Sequence, residues 1–184
     1  MNRLPKVGVL SGLILSVTLS GCANPDTTYA DPPAYIVEQV EELLPAAEQF
    51  VAENQTEALE KGVALTASQL ELAKRIGVKQ PESVRLYYVD RLPLPADPHL
   101  EAAARRFGYS SPFIDAYTFG YGIWIEHDAK DDLELLAHEL IHVRQTEQLG
   151  LQEMVRQYLM QLYIYGYRNA PLEVEAYNEA AKYL

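Results

Sequence analysis

Residues 131–150 read Asp-Asp-Leu-Glu-Leu-Leu-Ala-His-Glu-Leu-Ile-His-Val-Arg-Gln-Thr-Glu-Gln-Leu-Gly, and the five at their centre, His138-Glu139-Leu140-Ile141-His142, decide how the rest is read. Leu133, Leu136, Ala137, Leu140 and Ile141 recur at helical spacing. Asp131 or Asp132 can cap that helix and set negative charge at the positive end of its dipole. Gly150 supplies a stop. On such a helix His138 and His142 lie about 40° apart around the axis with one turn of rise between them. Both imidazoles can then reach a single Zn²⁺ at roughly 2.0–2.1 Å. Glu139 sits about 100° round from His138, able to touch a water at the ion without displacing it. The apolar stripe faces a core, and the three polar side chains fall on its flank.

Working outward, Leu151, Met154, Val155, Tyr158, Leu159 and Leu162 mark a second amphipathic helix, continued by Tyr163, Tyr165 and Tyr167 to a break at Asn169-Ala170-Pro171. Pro171 suits the first turn of a last helix over residues 171–183. Upstream, residues 117–126 (Tyr-Thr-Phe-Gly-Tyr-Gly-Ile-Trp-Ile-Glu) read as one strand with Tyr117, Phe119, Tyr121, Ile123 and Ile125 on one face. Gly120 and Gly122 share the other, so either a substrate or a packed helix comes close to that backbone. Residues 83–89 form an earlier strand, ended by Leu92-Pro93-Leu94-Pro95, and residues 100–107 a short helix closed by Gly108. Two further helical stretches come first. Residues 35–62 carry Pro45, which either kinks the helix or starts a new one. Thr66 or Ser68 caps the next, which runs through Leu70, Leu72, Ala73 and Ile76 to Gly77. The order is that of a mostly helical α+β domain with a small sheet ahead of the histidine helix.

The first residues read as a targeting segment. Arg3 and Lys6 precede an apolar stretch over residues 7–19, shorter than the ~20 residues of a spanning helix and suited to a signal peptide over residues 1–21. Leu19-Ser20-Gly21-Cys22 resembles the bacterial lipoprotein lipobox, which implies cleavage before Cys22 and a diacylglycerol on its sulfur. Cys22 is the only cysteine, so no intrachain disulfide is available. Ala23 stands where an aspartate would hold such a protein at the inner membrane, which favours the outer membrane in a Gram-negative source. Residues 22–34, rich in proline, read as lipid anchor and flexible tether, and 35–184 as one domain. The net charge of −11 excludes nucleic acid as a partner and any attraction to anionic headgroups, leaving the lipid anchor to hold the membrane.

Zinc in a hydrolase keeps three protein ligands and an open position. The remaining histidines, His99 in a loop and His127 after a strand, are poorly placed to supply the third. The pattern H-E-x-x-H, with the downstream stretch Pro171-Leu172-Glu173-Val174-Glu175-Ala176-Tyr177, resembles the gluzincin clan of metallopeptidases over roughly residues 115–180. In that clan a glutamate of a later helix completes the site. Alignment on Ala176 puts it at Glu173, and a one-residue slip at Glu175. The resemblance departs at Tyr177, where an aspartate often orients a zinc histidine. It implies a zincin-like fold, Zn²⁺ on His138, His142 and Glu173, Glu139 as general base, and hydrolysis of a protein or peptide substrate in the cell envelope. A tyrosine within residues 158–177 is expected to stabilise the oxyanion. Two other readings compete: an envelope lipoprotein that binds zinc without turnover, and a metal-free interaction module built on the tyrosine-rich helices.

Overall fold

The computed structural model describes residues 24–109, 111 and 113–183. The expected signal peptide over residues 1–21 and the expected lipidation site Cys22 lie outside them. Seven α-helices and a four-stranded sheet make up the described fold, which is the α+β class expected. No helix among the described residues is long and apolar enough to cross a membrane.

Where the sequence suggests a tether, Pro25–Ala30 forms a short helix, α1, capped by the Asn24 side chain. It rests on a later helix through Tyr29, whose ring lies 5.7 Å from that of Tyr165, and through the Tyr165 hydroxyl, which donates to Asp26. Helix α2, Ala34–Lys61, runs through Pro45 without dividing. Proline removes one backbone donor there, while Val40, Leu43, Leu44 and Ala47 bury one face and hold the helix together on both sides of it. Helix α3, Ala67–Ile76, starts in a reciprocal capping box of Thr66 and Gln69 and ends at Gly77.

The sheet has the order β1-β2-β4-β3, with β1 at Val63–Ala64, β2 at Arg85–Val89, β3 at Ala116–Phe119 and β4 at Gly122–Glu126. β2 and β4 are parallel, joined through helix α4, Pro98–Phe107, and the other pairs are antiparallel. The single strand expected over residues 117–126 is therefore a hairpin, with Tyr117 paired to Trp124 and Phe119 to Gly122. Gly120 makes the turn at φ +61°, a conformation few side chains accept. The close approach expected at these glycines is made by α2. A Cβ at Gly122 would lie 2.6 Å from that of Ala58, and one at Gly120 would collide with the Gln55 side chain. Gln55 also accepts a hydrogen bond from the Tyr121 amide, so both glycines serve packing.

Helix α5, Leu133–Leu149, has Asp132 as its cap, with the side chain accepting from the Leu135 amide, and stops at Gly150. Helix α6 is Leu151–Tyr165 and helix α7 is Pro171–Ala180, the last expected helix giving way to a 3-10 turn at Ala181–Tyr183. One core joins the sheet, α3, α5 and α7, with Val84, Ile123, Leu140, Ile141 and Val143 fully enclosed. A second joins α2, α4 and α6 around Val40, Leu100 and Leu159. Helix α5 brings its polar flank to the seam between them.

Candidate metal centre

His138, Glu139 and His142 are all buried on α5, and Glu173 on α7 is buried with them at 2 % exposure. Glu173 sits in the first turn of α7, which Ala170-Pro171 starts and the Leu172 amide anchors by donating to the buried Gln161 side chain, 3.0 Å away. Its carboxylate meets both imidazoles, Oε2 at 3.3 Å from His138 Nε2 and Oε1 at 3.4 Å from His142 Nε2. The two Nε2 atoms are 3.0 Å apart. Three donors each roughly 2.0–2.1 Å from one ion, at tetrahedral angles, would stand about 3.3–3.4 Å from each other, close to these separations. Glu173 Oε2 is buried with no hydrogen-bond partner among the described residues, an idle lone pair of the kind a cation fills. The group His138, His142 and Glu173 can hold a metal ion.

The two candidate glutamates are thereby separated. Glu175 turns away from the site, its Oε1 held by Arg144 Nη2 at 2.6 Å and its Oε2 by Gln145 Nε2 at 2.9 Å. His99 is exposed at the start of α4, and His127 is exposed near Asp90, far from any such group.

Glu139 is fixed from the sheet. Thr118 on β3 places its hydroxyl 2.6 Å from Glu139 Oε2 and 3.1 Å from the Glu139 carbonyl, so the carboxylate is oriented through one oxygen. Tyr158 donates to Glu173 Oε1 at 2.7 Å. Tyr177, at the position of the missing aspartate, lays its ring 4.4 Å from that of His138.

Electrostatics follow from this crowding. Burial disfavours charge on His142, but the Glu173 carboxylate outweighs it and raises the imidazole to about 9. Glu173 is likewise pushed up by burial and pulled further down by His142 and His138, ending well below the usual carboxylate range. Burial and the nearby acids raise Tyr109, Tyr117, Tyr158 and Tyr167, so all four remain protonated donors at neutral pH.

A cavity of about 150 Å³ opens from His138, Glu139, His142 and Glu173 towards α2, α4 and α6, and its far wall is apolar: Phe50, Val51, Leu100, Phe107 and Leu159. Tyr109 and Tyr117 also line it, stacked with ring centroids 3.8 Å apart, and the Tyr109 hydroxyl is buried with no partner among the described residues. The tyrosines expected as donors lay within residues 158–177. Of these, Tyr158 and Tyr167 line the cavity, but Tyr109 and Tyr117 do so as well. No local pattern marks Tyr109, Tyr117 or Thr118, because β3 and the end of α4 meet the site only in three dimensions. The sequence reading did not single out Gln145, although its place three residues after His142, on the same helix face, was a signal that could have found it.

These features define a buried histidine–histidine–glutamate cluster with an adjacent glutamate, on a mostly helical α+β fold. Residues 96–150, from the turn before α4 to the end of α5, match a family model described as the eCIS core domain, a family other than the gluzincins. Comparison with curated proteins and with solved structures finds no match.

Proposed function

We propose that this protein is a zinc-dependent metallopeptidase of gluzincin type, lipid-anchored in the cell envelope and acting there on a protein or peptide substrate. One observation carries the proposal. Three buried donors, His138, His142 and Glu173, converge within 4.8 Å, and Glu139 lies next to the first of them with its carboxylate aimed by Thr118. A site whose only task was structural would need no such base, and structural zinc is ordinarily closed by four ligands.

When bound, zinc supplies Lewis-acid polarisation of a carbonyl and acidification of a water molecule. The chain supplies the rest. Glu139 accepts the water's proton and later returns it to the leaving amine. Thr118 holds one Glu139 oxygen, which leaves the other free for that transfer. Tyr158 holds Glu173 in its ligand pose. The protonated tyrosines of the cavity, foremost Tyr109, whose hydroxyl has no partner among the described residues, are donors for developing negative charge on the substrate oxygen. The apolar wall keeps bulk solvent away from the charges that develop there, so that the donors act at low dielectric.

A second reading joins the eCIS core domain match over residues 96–150, which speaks for a component of an extracellular contractile injection system and says nothing of catalysis, to a metal site held without turnover. One set of variants separates the two. Elemental analysis of the purified protein should find zinc, removed by chelation. His142→Ala should lose the metal. Glu139→Gln should keep it and lose about 10²–10⁴-fold in hydrolysis of a quenched fluorescent peptide library, since an amide cannot take the proton. Zinc without any hydrolysis in the wild type would favour the second reading, and absence of zinc would end the first.

A further inference from the structure

Gln145 is 1 % exposed and is the polar member of the largest fully enclosed side chains among the described residues, the others being leucine, isoleucine and valine. A buried amide is costly unless each of its groups finds a partner. Its Nε2 lies 3.0 Å from the Leu172 carbonyl oxygen and 2.9 Å from Glu175 Oε2. Both neighbours accept only, so the nitrogen must face them, one proton to each. The amide oxygen is thereby turned to His142, with Oε1 2.8 Å from Nδ1. An acceptor there requires Nδ1 to carry a proton, whether the ring is neutral or charged. The position left for a metal ion is Nε2, which faces His138 and Glu173. His138 has no such partner: its Nδ1 is buried and unpaired among the described residues.

We propose that Gln145 is the positioning residue of this metal centre, fixing His142 with Nδ1 protonated and Nε2 presented, and through the Leu172 carbonyl setting the neighbouring Glu173 at the same point. The inference rests on the metal-binding half of the function proposed above and not on catalysis. Arg144 braces the arrangement from the next position, binding Glu175 at 2.6 Å and Glu179 at 2.8 Å, so Glu175 keeps one oxygen for Arg144 and one for Gln145. The orienting contact that the resemblance looks for on the last helix, at Tyr177, is thus supplied from α5 itself.

The test uses the full chain and zinc alone as probe, with affinity read by competition against a chromogenic chelator. Gln145→Leu should weaken zinc binding by at least about tenfold, the scale of a lost outer partner. Gln145→Glu restores an acceptor for Nδ1 but donates to neither Leu172 nor Glu175 when ionised, and should recover only part of that loss. Gln161→Leu is the structural control. It removes another buried amide that anchors α7, through the Leu172 amide, yet touches no histidine. It should destabilise the fold while changing zinc affinity less than Gln145→Leu. Imidazole ¹⁵N spectra of the zinc-loaded wild type should show His142 bound through Nε2 with Nδ1 protonated, which keeps the proposal testable if a variant fails to fold. Coordination through Nδ1, unchanged affinity in Gln145→Leu, or an equal loss in Gln161→Leu would overturn the role of Gln145 while leaving the metal site standing. A wild type that binds no zinc would overturn both.

Discussion

The two walls of the site are built differently. On one side α5, α7 and the sheet enclose Ala137, Leu140, Ile141 and Val143 completely, and every candidate metal ligand projects from that wall. On the other side α2, α4 and α6 meet through residues that mostly keep a little exposure, with partly buried Phe50, Val51, Phe107 and Tyr163 filling the edges. The cavity opens on this second side. Dense packing fixes side chains to fractions of an ångström, which a three-donor ion site requires. A looser apolar wall can accept chains of differing shape. Precision and adaptability are divided between the walls, and α5 belongs to the first while facing the second.

The largest effect expected from that division is on stability. Leu140→Ala, in the dense wall, should cost in the upper part of the range of about 2–5 kcal/mol for such truncations, because its enclosed neighbours cannot collapse into the void. Leu159→Ala, beside an existing cavity, should fall in the lower part. Denaturant midpoints of the metal-free proteins measure both. Equal costs would mean the two walls are equally rigid and the contrast is only one of composition.

A smaller effect distinguishes the two glutamates of α7. Glu173→Ala should lower zinc affinity by at least about tenfold, and Glu175→Ala by less, since Glu175 reaches the site only through Gln145. The reverse ranking would place the ligand at Glu175 and require α7 to turn on its axis.

The sequence disclosed these two walls unequally. Helix α5 was legible to its caps, because Asp132, the apolar stripe and Gly150 are local signals with local causes. The hairpin was not: Gly120-Tyr121 is so short a turn that the alternation of β3 runs on into β4 without a break in period. Strand β1, two residues long, is below what any pattern can mark. Glu173 came from resemblance, and only the fold could show why it and not Glu175 faces the histidines. Thr118 and Tyr109 carried no signal at all. Their roles depend on which strand edge and which helix end meet α5, and that is decided by long-range packing of the second wall as much as the first.

The smallest expected effect is a pH dependence confined to the first wall. With the metal removed by a chelator, His142 and Glu173 stabilise each other as an ion pair. His142 is raised from 6.5 to about 9 in the folded chain, so the fold binds that proton more tightly than the unfolded chain does. Its contribution is complete below about pH 6.5 and is lost as pH rises through 9. Glu173 is lowered from 4.5, so its contribution is complete above that value and is lost as pH falls. The chelated protein should therefore be most stable between about pH 4.5 and 6.5, through this pair, and decline from 6.5 to 9. Other groups titrate too, so the measure is the difference between the wild type and His142→Gln, which keeps the bulk and loses the charge. Urea midpoints at pH 5, 6, 8 and 9 should converge for the two proteins as pH rises. Added zinc should reverse the trend, because a metal ion at Nε2 competes with its proton and binds more tightly as that proton is lost. A chelated wild type that gains stability over His142→Gln from pH 6.5 to 9 would show that the ion pair is not what holds α5 to α7, and that packing alone sets the geometry of the first wall.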